Sequence, residues 1–318
     1  TMIYFTQGKL GSIGLEILLK AILIIPTKYL KNITLVINRH DLIHELESLT
    51  IPYHIESGML EVHNGKIPLL SPIFLVHSET LNSLLTALPL LQKDDILFTL
   101  PSSKDQFFFQ GIHHRGYTDF FRNYFHSKDV SMTFKGRSFD LLLLTDHIPL
   151  LEVAPKINAD IFHKVDVSLF CGAKYFSAYE EVIMLGLNPH AGENGQIGNE
   201  ELSFDSFLNP LLAKFPEISF LGPLAADSIF LTAFNCKKRT LLVSPYHDQA
   251  LPIFKALNMF HAAQITFGLP FLRLSVVHGT AENIYGKNLA DPTSILFGLD
   301  TIFKSYYGLH FNRTSART

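Results

Sequence analysis

The sequence predicts an α/β protein: an open, mostly parallel sheet system organised as one large or two medium domains. Three observations carry that prediction. Short, continuously apolar runs recur along the chain, as buried parallel strands do. Longer stretches with apolar residues at helical spacing lie between them. The chain is 318 residues long and 47% hydrophobic, enough for substantial cores and too apolar for a disordered chain.

In order, the strand candidates are Met2–Thr6, Ile33–Ile37, Ile96–Leu100, Leu141–Thr145, Val182–Leu187, Thr240–Val243 and Phe271–Val276. The first runs into a glycine turn, "GKLGSIG", and then into a helix over Leu15–Ile24. Shorter helical patterns cover Asp119–Phe125 and Glu200–Phe207. Such alternation of strand and helix favours a parallel sheet. No internal repeat, low-complexity tract or Gly/Ser linker marks a boundary, so two domains would share a continuous scaffold with a cleft between them.

Charge narrows the partners. A net charge of −3 gives no reason to expect nucleic acid or an anionic membrane, both of which reward a basic face. A small-molecule substrate is expected. Cys171 and Cys236 are far apart and form no CxxC pattern, so neither a disulfide framework nor a zinc-thiolate site is indicated. The opening "MIYFTQGKLGSIG" lacks the basic segment and apolar core of a secretory signal, and Ile13–Tyr29 is interrupted by Glu16, Lys20 and Pro26. A soluble, cytoplasmic protein is expected.

Ligands of parallel α/β sheets bind beyond the carboxyl ends of the strands. Three strand candidates end near a histidine: His147 after "DLLLLTD", His190 after "EEVIMLGLNP" and His247 after "TLLVSPY". Imidazoles on rigid strand ends suit one divalent ion with open positions for substrate oxygens, and Asp146 and Asp248 stand ready to fix the ring tautomers. The chain has 15 histidines, and a strand-end histidine also serves to cap a carbonyl or face solvent, so spacing alone leaves both readings open. His113 and His114, in "GIHHRG", read as loop histidines.

The segments "TDHIPL", "GLNPHAGENGQIGNEE", "YHDQALPIFKAL" and "FGLPFLRLSVVHGTA" occur in this order. They resemble the signature segments of the 4-hydroxythreonine-4-phosphate dehydrogenase family of vitamin B6 biosynthesis. The resemblance runs from about Gly8 to Ser294 and is densest in the second half. It implies a fold of the isocitrate/isopropylmalate dehydrogenase type, with two α/β/α domains. Approximate bounds are residues 1–130 with 250–318 on the cofactor side, and 131–249 for a second domain carrying two metal histidines and dimer contacts.

The family's three metal-binding histidines match His147, His190 and His247, with Asp248 beside the last. The resemblance implies one divalent ion, zinc, magnesium, cobalt or manganese, shared across a homodimer so that His247 serves the neighbouring chain's His147 and His190. Glycines flanking His190 would let backbone approach metal and substrate, and Pro189 would stiffen the approach. The implied reaction oxidises the 3-hydroxyl of 4-phosphooxy-threonine with NAD or NADP; decarboxylation then gives 3-amino-2-oxopropyl phosphate. A divalent cation suits both halves, because it acidifies the alcohol and polarises the ketone.

Substrate contacts carried over by resemblance fall on Tyr117, Thr118, Lys255, Gln264 and Arg273, of which the cations Lys255 and Arg273 suit a phosphate and its surroundings. "HGTA", His278, Gly279, Thr280 and Ala281, followed by "GKNLADPTS" with Asn288, is similar to the nicotinamide-dinucleotide loop of the related dehydrogenases. The chain also departs from the pattern. Tyr117 stands where the family has the histidine of "GHTE", Gln264 replaces an asparagine, Val277 replaces an aspartate, and Asn283 follows Glu282 where an acidic residue is usual. These changes keep two alternatives open: a paralogous dehydrogenase for another phosphorylated four-carbon hydroxy acid, and a non-catalytic metal- or ligand-binding homologue.

Overall fold

The computed structural model describes residues 1–307 and divides into two compact units. The first joins Thr1–Lys128 to Leu269–Leu299; the second joins Asp129–Gly268 to the described residues from Asp300 onward. The resemblance implies a return to the first unit at about residue 250. The structure keeps 250–268 in the second unit, because helix His247–Asn258 packs on strands Phe139–Leu143 and Thr240–Ser244 and strand Ala263–Phe267 pairs with Ser131–Lys135.

The first unit's strands run in the order Leu272–Ser275, Ile96–Thr99, Ile3–Thr6, Ile33–Val36 and Gly65–Leu70, all parallel. Met59–Val62 and His54–Glu56 then continue the sheet antiparallel. The four leading strands are buried except at half-buried Tyr4, which explains their largely apolar runs. Helix Glu79–Ala87, capped by Ser78 accepting from Leu81 N at 3.0 Å, packs on strands Ile3–Thr6 and Ile33–Val36. Phe5 and Phe98 stack across neighbouring strands at 4.7 Å.

The second unit's strands run in the order Ser219–Leu224, Glu181–Leu185, Thr240–Ser244 and Phe139–Leu143, all parallel. Ser131–Lys135 follows antiparallel, and Ala263–Phe267 antiparallel to that. The period of two sorts the core. Leu142, Leu144, Val182, Met184, Leu241 and Val243 join one cluster with Phe162, Leu169 and Phe204, under helices His163–Tyr175 and Phe204–Lys214. Leu141, Leu143 and Leu242 are buried on the opposite face, where Phe139 meets Phe254 of helix His247–Asn258 at 5.7 Å.

All seven expected strands fall on strands, with shifted ends. Leu141–Thr145 begins earlier, at Phe139, and Val182–Leu187 stops at Leu185 because the chain turns at Gly186. The expected helix over Glu200–Phe207 is corrected: Glu200–Ser203 is a single 3₁₀ turn and the α-helix runs Phe204–Lys214. Among the described residues no helix is long and apolar enough to cross a membrane.

Phe98 is fully buried and its stacked partner cannot collapse into the space it fills. Phe98→Ala is expected to cost about 3–5 kcal/mol of stability, read from the midpoint of urea unfolding.

Candidate active site

In the second unit, register decides where the histidines emerge. Leu143 pairs with Ser244 and Met184 with Val243, so three adjacent parallel strands end at one level. Two of them remain tied beyond their ends: Leu144 N donates to Ser244 O at 2.9 Å, and Thr145 N and Oγ1 donate to Pro245 O at 3.1 and 2.7 Å. Lys164 Nζ donates to Leu144 O at 2.6 Å, steadying the same strand end. The His147 and His247 rings consequently stand 5.2 Å apart, centroid to centroid. His247 opens helix His247–Asn258, and its Nδ1 lies 2.5 Å from Asp248 Oδ1.

His190 sits in a different kind of loop. His190, Ala191, Gly192, Glu193 and Asn194 all adopt left-handed backbone, with φ from 44° to 76°. Four of these are not glycine, and each such residue costs about 1–2 kcal/mol. The surroundings hold the loop. Glu201, buried, accepts from Asn188 N at 2.6 Å and from Asn188 Nδ2 at 3.0 Å, while Glu200 accepts from Asn188 Nδ2 at 2.7 Å. Gln249 donates to Gly186 O at 2.6 Å and accepts from Ser244 Oγ at 2.6 Å, which fastens the root of the loop to the His247 strand.

The sequence predicts that glycines flanking His190 let backbone come close to metal and substrate. Here they make room for the loop's own anchors: a Cβ on Gly192, φ 76°, would stand 2.7 Å from Glu201 Oε2, and one on Gly198 would stand 2.1 Å from Asn188 Nδ2. His190 Nδ1 meets Glu193 Oε1 at 2.6 Å, a hydrogen bond that raises the imidazole pKa. The structure brings His147 and His247 together; among the described residues of one chain, no group of three His, Cys, Asp or Glu is placed to hold a metal ion. The donor chemistry still suits one: with Nδ1 of His190 and of His247 engaged by carboxylates, Nε2 is the nitrogen each ring has for a ligand role.

Lys255 follows His247 by eight residues on the same helix, about 12 Å along its axis, and is exposed. Desolvation lowers its pKa. Gln264 is half-buried on strand Ala263–Phe267, opposite Phe134.

The first unit holds the other expected residues. Arg273 is 2% exposed on strand Leu272–Ser275. Its Nε and Nη2 donate to Thr99 Oγ1 at 3.1 and 2.7 Å, and its guanidinium lies 4.7 Å from the centre of the Tyr117 ring. Burial lowers its pKa to about 10, against the stabilising charge interaction with Tyr117, so it stays charged at neutral pH. Tyr117 opens helix Tyr117–Tyr124, two residues ahead of the expected Asp119, and its OH donates to Leu100 O at 2.9 Å. Burial drives its phenol well above the ordinary range. Thr118, next in that first turn, is buried.

The segment bearing His278–Ala281 is fastened to the glycine turn: Ile13 N donates to Thr280 O at 3.0 Å. Ala281 and Asn288 take left-handed φ of 45° and 57°. Further along, Lys20 Nζ donates to Asn288 O at 3.2 Å and Ala290 O at 2.9 Å, while Glu16 Oε1 accepts from Ala290 N at 2.8 Å and Lys20 Nζ at 2.7 Å. A cavity of about 170 Å³ lies at the turn, lined by Lys9, Ser12, His40, Asp41 and Tyr285 among others. Glu16, Lys20, Thr99, Glu201 and Gln249 are not among the site residues expected from the sequence. Only Glu16 and Lys20 carried a signal, an i,i+4 Glu–Lys pair on a predicted helix.

The family model described as pyridoxal phosphate biosynthetic protein PdxA matches residues 77–301. The chain belongs to the PdxA family. Relatives named 4-hydroxythreonine-4-phosphate dehydrogenase include those of Sulfurihydrogenibium sp. strain YO3AOP1, 38% identical over 210 residues, and Shewanella denitrificans, 36% identical over 209. The matches cover 64% and 65% of this chain and 63% of each relative's own length. The PdxA fold is shared with solved 4-hydroxythreonine-4-phosphate dehydrogenases. The Burkholderia phymatum enzyme has a TM-score of 0.73 at 24% identity, covering 93% of this chain and 95% of that one. The Klebsiella pneumoniae enzyme also has 0.73, at 22% identity, covering 95% and 99%.

Removing the buried carboxylate in Glu201→Ala leaves Asn188 N–H without its acceptor and the Asn188 amide with Glu200 alone. A loss of about 1–3 kcal/mol is expected, together with faster hydrogen exchange over residues 188–198.

Proposed function

We propose that this PdxA-family chain oxidises 4-phosphooxy-threonine at its 3-hydroxyl with NAD or NADP and that decarboxylation follows, giving 3-amino-2-oxopropyl phosphate. The observation that carries the reading is the set of three histidine-bearing loops on adjacent carboxyl ends of parallel strands, in a family whose members are named for pyridoxal phosphate biosynthesis.

His147, His190 and His247 would hold one divalent ion in a homodimer. When bound, such an ion supplies Lewis-acid polarisation of the substrate's alcohol and ketone oxygens. The chain's own part is orientation. Glu193 and Asp248 fix the rings of His190 and His247 through Nδ1, and Gln249 holds the two loop roots together. Arg273 and Lys255 are assigned to the phosphate and its surroundings, with Thr118, Tyr117 and Gln264 as further substrate contacts. His278–Ala281 and Asn288 are assigned to the dinucleotide, where the clamp by Glu16 and Lys20 keeps backbone fixed for close approach.

One observation favours a second reading. The Tyr117 ring covers the Arg273 guanidinium and is anchored by Leu100 O, so this cation meets its ligand through a phenol-lined approach. That arrangement suits a paralogous dehydrogenase acting on another phosphorylated four-carbon hydroxy acid. Turnover of 4-phosphooxy-threonine with NAD, with and without chelator, decides between the readings; no turnover with this compound and turnover with a related phosphorylated hydroxy acid selects the second.

Alanine at His147, His190 or His247 is expected to abolish turnover with little loss of stability, since all three lie outside the core. Mixing His190→Ala and His247→Ala chains tests sharing of the site. Random pairing makes half of the dimers mixed, each with one intact site of two, so activity should return to about a quarter of wild type. No recovery places all three ligands within one chain.

Arg273→Lys keeps charge but loses the fork, and is expected to lower kcat/KM clearly, whereas Lys255→Ala mainly raises KM. Both should narrow the preference for the phosphorylated substrate over free 4-hydroxythreonine; an unchanged kcat/KM ratio for the two compounds removes these residues from phosphate recognition.

A further inference from the structure

At the opposite ends of the same parallel strands, the second unit contains a cavity of about 370 Å³ lined by Lys135, Arg137, Lys237, Lys238 and Arg239. Its acidic groups are Asp140 and Glu180. Five cations against these two carboxylates and Glu181, which holds Lys238 at 3.0 Å, leave an excess of two positive charges in a chain whose net charge is −3. Topology gathers them: Lys237, Lys238 and Arg239 lead into strand Thr240–Ser244, and Arg137 lies in the turn between strands Ser131–Lys135 and Phe139–Leu143.

The cluster is built into the fold. Arg239 lies 4.4 Å from the centre of the Tyr179 ring, and Tyr179 OH donates to Asp140 Oδ2 at 2.8 Å. Asp140 also faces Lys135 Nζ at 3.5 Å and Arg239 Nη2 at 3.6 Å, so one carboxylate serves two cations and a phenol. Lys135 is further placed over the Phe176 ring at 5.6 Å. Arg239 Nε and Nη2 are buried without a hydrogen-bond partner among the described residues, although they belong to a donor fork shaped for oxyanions. Burial pulls the Lys135 ammonium down, with Asp140 opposing and Arg239 adding to the effect. A negative group entering here meets positioned donors and relieves repulsion among like charges.

We propose that this cavity is a second anion site, distinct from the histidine-bearing strand ends, which takes the phosphate or diphosphate group of a small ligand on Arg239, Arg137 and Lys237. The experiment is calorimetric titration at constant ionic strength with three probes: inorganic phosphate, pyrophosphate and glycerol 3-phosphate. Saturable binding of at least one is expected. Tightest binding of pyrophosphate identifies an inorganic or diphosphate ligand, and tightest binding of glycerol 3-phosphate an organic ester. Arg137→Gln with Lys237→Gln changes only exposed side chains and should weaken binding by about tenfold or more. Arg239→Lys, checked for native circular dichroism, should weaken it by a similar factor through loss of the fork. Lys255→Ala should leave it unchanged, which separates this cavity from the phosphate contacts of the proposed reaction. Absence of saturable binding, equal affinity in the double variant, or loss of binding in Lys255→Ala alone overturns the proposal.

Discussion

The parallel pairing of Thr240–Ser244 between Phe139–Leu143 and Glu181–Leu185 is the constraint on which the rest of the candidate site depends. A parallel ladder fixes direction as well as register, so three chain segments far apart in sequence leave the sheet together. Burial on both faces makes a one-residue slip prohibitive, because it would exchange Leu142, Leu241 and Val243 with the residues of the other face. The 5.2 Å separation of the His147 and His247 rings follows from strand ends held at one level and tied together as far as Thr145 and Pro245.

The two cations expected to meet phosphate are placed in opposite ways. Lys255 stands two turns into a helix with its side chain reaching solvent, and only partial desolvation of its stem opposes its charge. Arg273 is nearly fully buried, and removing a guanidinium from water is costly unless its donors and its face are engaged. Thr99 engages two donors and the Tyr117 ring engages the face, an interaction worth about 2 kcal/mol when desolvated. A phenol there does what an imidazole does poorly, because its ring stays neutral and electron-rich above a cation. Burial raises the Tyr117 pKa still further, so no ordinary pH converts this contact into something else.

Much of the fold was legible because buried parallel strands write themselves as apolar runs, and Ile3–Thr6 or Thr240–Ser244 needed nothing more. His54–Glu56 and Ser131–Lys135 escaped notice: the first is short and mostly exposed, and "SMTFK" mixes polar residues into a buried strand. Helices Phe204–Lys214 and His247–Asn258 contain Pro210 and Pro252, which break the periodic signal that would have extended them. At the site, residue type and position after a strand singled out His147, His190 and His247. The groups that hold them did not show, since Gln249 and Gly186 are 63 residues apart and no short pattern encodes their hydrogen bond.

The His190 loop shows why such support has to come from a distance. A run of left-handed non-glycine residues has no local reason to persist, and its stability must be imposed by contacts outside it. Glu201 and Gln249 impose it from a 3₁₀ turn and from a helix start, both anchored in the sheet's own core. The glycines of "GLNPHAGENGQIG" then become intelligible as space for those anchors. A motif that looks designed for the ligand is, at Gly192 and Gly198, designed for the scaffold that keeps His190 in position. The same division of labour follows the strands to their other ends. There the carboxylates at the strand starts, Asp140 and Glu181, are held by cations and by the Tyr179 phenol instead of imidazoles, so direction in the parallel sheet separates two chemistries within one unit.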